Sequence, residues 1–152
     1  MSKKFVGTRI SVADNVYATT IRDACASLDA VVEPRSAGAK IPNDRDEMVW
    51  CPNKDNEIWN NTTVLDANLE VIEIWESLKI GSEKKRNEHF KEWISQPNIK
   101  RITFLGDNSG KYYFVGVFKI NVVRSKAVGY CIWERVNSTY TLPNIPNRKL
   151  FT

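Results

Sequence analysis

Histidine is almost missing from this sequence: His89 is the only one in 152 residues. A zinc site built from three or four His and Cys ligands is therefore not expected, and a Ser-His-Asp or Cys-His arrangement would have one base to draw on. Cysteine is scarce as well. Cys25, Cys51 and Cys131 are odd in number and match no Cys-x-x-Cys spacing, which points to reduced, buried thiols and away from a disulfide framework. No apolar run approaches the roughly 20 residues that a membrane helix needs. Lys3 and Lys4 have no apolar stretch behind them, so a signal peptide is not expected and a cytoplasmic location is. The glycines of Gly106-Asp-Asn-Ser-Gly110 lack the Lys-Ser/Thr of a phosphate-binding loop. Together these absences lead to the expectation of no metal, no cofactor and no catalytic residues.

The charge is modest in total and uneven in placement. Twenty-two basic and 18 acidic side chains give a net +4 and a pI near 9.0. Residues 100–149 hold nine basic and two acidic side chains, a net +7, which leaves about −3 for the remainder. That asymmetry predicts a positive face suited to a polyanion such as nucleic acid.

The pattern along the chain is that of one α+β domain. Ser11 and Asp14 approximate a capping box, and Val16, Tyr17, Ile21, Ala24, Cys25 and Leu28 recur at helical spacing, predicting a helix over 14–28. Residues 33–47, with two prolines, a glycine and seven charges, read as a mobile loop. A β-rich core over 48–142 follows, interrupted by a helix over 83–95 that Ser82 caps. Within the core, Arg101–Leu105 and Lys111–Ile120 flank a glycine-containing turn as a hairpin, and Gly116 marks a bulge or sharp bend. Weaker strand patterns cover 48–51, 58–65, 69–75, 129–136 and 140–142. The predicted architecture is a strongly bent, partly closed β-barrel of about six strands with two flanking helices.

Aromatics are the unusual ingredient. There are five tryptophans, and two of them meet polar turn segments: Trp50 follows the charged loop, and Trp59 runs into Asn60 and Asn61. A ring beside a side-chain amide can stack on a base while the amide reads its edge. Lys100, Arg101, Lys111, Tyr112, Arg124 and Lys126 supply candidate phosphate contacts. Asp66, Glu70 and Glu73 cluster as carboxylates do in metal-dependent nucleases, but the acid-x-lysine pair is missing there.

The run Lys100-Arg-Ile-Thr-Phe, then Tyr113-Phe-Val-Gly-Val-Phe-Lys-Ile120, then Trp133-Glu-Arg-Val136 and Tyr140-Thr-Leu142, resembles the small β-barrel modules attached to modification-dependent restriction nucleases, of the SRA and PUA-like kind. With Val49-Trp50 and Trp59-Asn60-Asn61 upstream, the resemblance spans 48–142 and leaves the N-terminal helix and loop outside. It implies a curved sheet whose aromatic-walled pocket takes a modified or flipped base, with Trp50, Trp59 and Asn61 near that pocket.

The reading that follows is a non-catalytic nucleic-acid-binding module in a defence or counter-defence setting, such as restriction-modification or phage defence, with DNA ahead of RNA as partner and no membrane. A protein-interaction module of the inhibitor or immunity type is the alternative. A metal-dependent nuclease using Asp66, Glu70 and Glu73 comes third.

Overall fold

A computed structural model describes residues 9–54 and 56–142. Its fold is mixed α/β and rich in sheet. The elements in order are β1 (Arg9–Ser11), a 3-10 turn (Val12–Asp14), β2 (Tyr17–Ala18), α1 (Ile21–Ser27), β3 (Gly38–Lys40), β4 (Glu47–Trp50), β5 (Trp59–Leu65), β6 (Val71–Leu78), α2 (Glu83–Ile94), β7 (Lys100–Gly106), β8 (Tyr112–Ile120), α3 (Val122–Val128), β9 (Cys131–Asn137) and β10 (Thr139–Thr141). The main sheet runs β3-β4-β7-β8-β9-β6-β5, with β2 pairing on β8, and β1 pairs with β10 separately. Every contact along the path is antiparallel except the parallel pair β4–β7. β3 and β5 stand at the two ends of this path, so the described strands form an open sheet and not a closed barrel.

Both faces of the sheet are covered. On one, Ile102, Phe104 and Phe114 pack with Ala24, Cys25 and Leu28 from the α1 region. On the other, Trp50, Ile74, Leu105, Phe118 and Trp133 pack beneath Phe90, Trp93 and Ile94 of α2. A strand buried on both sides must be apolar at consecutive positions, as β7 and β8 are.

Three local outcomes differ from the sequence pattern. The helix expected over 14–28 is much shorter. Ser11 caps only the 3-10 turn, and Asn15 in the left-handed region (φ 52°) ends it. Tyr17 and Ala18 then pair with Tyr113 and Tyr112, and Thr20 caps the true helix by accepting the Asp23 N–H at 3.0 Å. The stretch 33–47 is not all loop, because β3 lies inside it. Gly38 permits that pairing, since a Cβ there would sit 2.3 Å from the Val49 carbonyl oxygen. Helix α3 had no counterpart in the pattern, although its ends carry signals. Asn121 accepts the Arg124 N–H at 2.9 Å, and Gly129 closes the helix at φ 84°. The tail beyond Leu142 lies outside the described residues.

Gly116 is the bend the sequence marks. Its φ is 127°, and the β7–β8 and β8–β9 registers both shift beside it. An added Cβ would meet the Arg135 side chain at 2.6 Å and the Asn137 carbonyl oxygen at 2.8 Å. Gly116→Ala is therefore expected to cost more than about 1 kcal/mol. Urea unfolding of the variant measures this, and an unchanged midpoint would mean the bend tolerates a side chain.

Candidate base-reading cavity

The period of two along each strand decides what faces the α2 side of the sheet. On β5, Trp59 and Asn61 point inward, while Asn60 and Thr62 are exposed. Asn61 sits directly opposite Glu76 of β6, and Glu76 opposite Cys131 of β9. On β4 and β7, Met48 pairs with Arg101, which turns Met48, Trp50 and Arg101 to this same side. His89 and Trp93, four residues apart on α2, face down from above. These side chains, with segment 32–38, Arg22 of α1 and Pro52, Asn53, Asn56 and Ile58, line a solvent-open cavity of about 740 Å³, a size in the range of ligand pockets.

The deep wall is a polar knot inside an aromatic box. Arg101, 2% exposed, lies against three indole rings, 3.6 Å from the centroid of Trp133, 4.1 Å from Trp93 and 4.4 Å from Trp50. Its Nε and Nη1 have no hydrogen-bond partner among the described residues, so the ring faces and the nearby Glu76 carboxylate at 3.7 Å compensate the cation. Burial lowers the Arg101 guanidinium to about 10, opposed mainly by Glu76, and it stays charged at neutral pH. Glu76 Oε1 also accepts the Trp133 indole N–H at 3.1 Å and contacts His89 Nε2 at 3.1 Å. Burial pushes this carboxyl up, yet the charge of Arg101 and the bonds from His89 and Trp133 outweigh it, and the group is held below the usual carboxylate range. Those contacts all converge on Oε1 and none uses Oε2.

Asn61 completes the wall. Its Nδ2 donates to the Asn53 carbonyl at 2.9 Å, which fixes the amide orientation and leaves Oδ1 buried without a hydrogen-bond partner among the described residues. An unsatisfied buried acceptor on a cavity wall is costly unless something in the cavity donates to it. Trp59 stands beside it, half-buried, with its ring 4.5 Å from that of His89.

Of the residues singled out from sequence, the structure brings Trp50, Trp59, Asn61 and Arg101 to this cavity and leaves the others elsewhere. Asn60 is turned away by the strand period and touches Ser77. Lys100 is exposed beside Arg45 and Lys119, in a separate depression. Lys111 covers the Tyr17 ring at 4.9 Å, and the Tyr112 hydroxyl accepts from Asn53 at 3.5 Å. Lys126 lies on the exposed side of α3. Arg124 is gripped by Glu73 and Glu134, not free for a phosphate. The acidic cluster has the same explanation from the other side. Asp66 closes its own turn by accepting the Asn68 and Glu70 N–H groups, Glu70 pairs with Arg135 at 2.8 Å, and Glu73 pairs with Arg124. Glu70 and Glu73 are counter-ions of the basic second half, so the +7 stretch is partly neutralised in space.

Glu76, His89 and Trp93 were missed. Nothing in the sequence joins positions 13 to 17 residues apart across a strand and a helix, although the four-residue spacing of His89 and Trp93 was there to read. Glu76, His89 and Cys131 do bring three potential metal ligands within 4.8 Å. The set is a poor cation seat. Arg101 already supplies the positive charge at Glu76, and burial pushes the Cys131 thiol up to about 12, away from the thiolate a metal needs.

A few polar side chains set among aromatic ones in an open cavity match the usual lining of a ligand pocket. The chain belongs to the SRA family, the SET and RING associated domain, whose profile matches residues 6–142. The match reaches beyond 48–142, the stretch that carries the sequence resemblance, and takes in β1, α1 and β3. No curated protein matches the chain. Among solved structures, the 5-hydroxymethylcytosine-specific restriction enzyme AbaSI is similar, with 26% identity and a TM-score of 0.65. The likeness covers 88% of this chain and 42% of that one, so the chain spans less than half of the enzyme's length. No helix among the described residues is long and apolar enough to cross a membrane.

Proposed function

We propose that this chain is a DNA-binding module that reads a modified cytosine, taking the base out of the duplex and into the cavity walled by Trp59, Asn61 and Glu76. One observation carries the reading: Asn61 lines the cavity next to a carboxylate acceptor, and its own Oδ1, buried just behind the surface, has no hydrogen-bond partner among the described residues. A cytosine presents its N4 amine as a donor there, whereas thymine presents O4, which would face acceptors. A 5-hydroxymethyl group adds a second donor. Trp59, on the open edge strand, provides the stacking surface that an extruded base needs. Membership of the SRA family and the likeness to AbaSI favour the same ligand class, and a defence setting such as restriction of modified DNA fits that likeness. Contacts to the DNA backbone would come from Arg22 and Arg35 at the cavity mouth, both exposed, and not from Arg101 or Arg124.

Gel shifts with duplexes carrying a single cytosine, methylcytosine, hydroxymethylcytosine or thymine test this. A hydroxyl donating to a charged acceptor is worth about 1.5–3 kcal/mol, so the hydroxymethylated duplex should bind roughly 10- to 150-fold more tightly than the plain one. Affinity should fall linearly on a log–log plot as salt rises, with the same slope for all four duplexes, because phosphate contacts do not read the base. Equal affinity for the four duplexes would remove the base-reading role.

A further inference from the structure

We infer that Arg101 is a positioning residue that locks the Glu76 carboxylate against the cavity wall in its charged form, and that this arrangement makes the cavity select ligands presenting hydrogen-bond donors. The inference deepens the base-reading proposal and rests on it for the identity of the ligand. Its own basis is geometric. Arg101 is as buried as a core aliphatic residue, yet its Nη1 meets Glu76 only as an ion pair at 3.7 Å, and neither Nε nor Nη1 has a hydrogen-bond partner among the described residues. A residue serving only stability at this depth would bond its donors fully, because an incompletely paired buried cation is expensive. Three tryptophans instead hold the guanidinium 3.7 Å from Glu76 Oε1, close enough to impose its field and far enough to leave the carboxylate free to accept from elsewhere.

The groups around Glu76 come from every element packed against it. Arg101 approaches from β7, His89 from α2, and Cys131 and the Trp133 indole N–H from β9. Glu92 of α2 lies farther out, close enough to act on Arg101 and Cys131. Burial alone would drive Glu76 toward the neutral acid, which presents an O–H and would offer a donor where the ligand needs an acceptor. Arg101 is the fixed positive charge that opposes this. Without it, the carboxyl titrates at higher pH, so binding is intact at high pH and is lost as pH falls through the raised value. With it, the carboxylate persists to lower pH and binding is level over the same range.

The test has two readouts. Affinity for a hydroxymethylcytosine duplex is measured from about pH 8 to about pH 5 for the wild type, Arg101→Met, Arg101→Lys, Glu76→Gln and the Arg101→Met/Glu76→Gln double variant. In parallel, the Trp133 indole N–H resonance of the free protein is titrated, because that proton is bonded to Glu76. The wild type and Arg101→Lys should bind evenly across the range. Arg101→Met should lose at least about tenfold in affinity on acidification, with a matching step in the indole resonance. The double variant should be level again, since the titrating carboxyl is gone from it. Should Arg101→Met fail to fold, Arg101→Gln takes its place. An Arg101→Met or Arg101→Gln profile that superimposes on the wild type in both readouts overturns the inference. If the indole step moves as expected while no duplex is preferred over another, Arg101 acts on Glu76 as stated and the base-reading proposal is what has failed.

Discussion

Replacing Trp59 with alanine should weaken binding of a hydroxymethylcytosine duplex by roughly 5- to 150-fold while leaving the thermal midpoint nearly where it was. The magnitude follows from stacking, worth about 1–3 kcal/mol per base on an aromatic platform. The selectivity of the effect follows from position. Trp59 is half-buried, begins an edge strand and touches His89 across the cavity, so few core contacts depend on it. Anisotropy titrations with a labelled duplex measure the first quantity, and calorimetry of the free protein the second. Trp59→Phe should recover most of the affinity because a stacking face remains. A Trp59→Ala protein that binds as well as the wild type would show that the ring is packing and not a platform.

Trp133 is the opposite case and carries the larger effect on stability. It is 0% exposed, its ring packs against Trp50 at 5.6 Å and Trp93 at 5.7 Å, and it is the nearest ring to Arg101. Trp133→Ala removes a large buried side chain and should cost about 3–5 kcal/mol. Trp133→Phe keeps most of the apolar volume but deletes the N–H that donates to Glu76 Oε1. It should cost less, about 1–3 kcal/mol for the lost bond to a buried acceptor, with the shape mismatch added. Urea unfolding separates the two variants. A Trp133→Ala cost below about 1 kcal/mol would contradict the packing described for the α2 face. Two tryptophans that look alike in the sequence thus differ by role, one holding the wall up and one forming its surface.

How far such roles were legible depends on the kind of signal each residue emits. Period two placed the β7–β8 hairpin and marked Gly116, because a doubly covered strand has no other way to read and a positive φ with a crowded Cβ leaves glycine alone. The same period could have separated Asn61 from Asn60, since adjacent strand residues cannot share a face. The register on β6 was what made the choice. The short N-terminal elements went astray because Asn15 breaks the helical run in the left-handed region, a conformation that apolar spacing does not report. Charge was the most misleading signal. Summed along the chain, residues 100–149 look like a positive face. In space, Arg101, Arg124 and Arg135 find Glu76, Glu73 and Glu70, which precede them by 25 to 65 residues. Their partners sit on or just before β6, a strand that lies next to β9 and far from it in sequence. Glu76 and His89 reach the site by the same long-range route, which is why a search for local motifs passed over both.

Base reading of the proposed kind requires that a base leave the helix and enter the cavity. A duplex with 2-aminopurine next to the hydroxymethylcytosine reports this directly, because the probe brightens when its stacking neighbour is withdrawn. Saturating protein should raise its emission several-fold, and Trp59→Ala at equal occupancy should not sustain the rise. Full binding with emission unchanged from the free duplex would contradict the account.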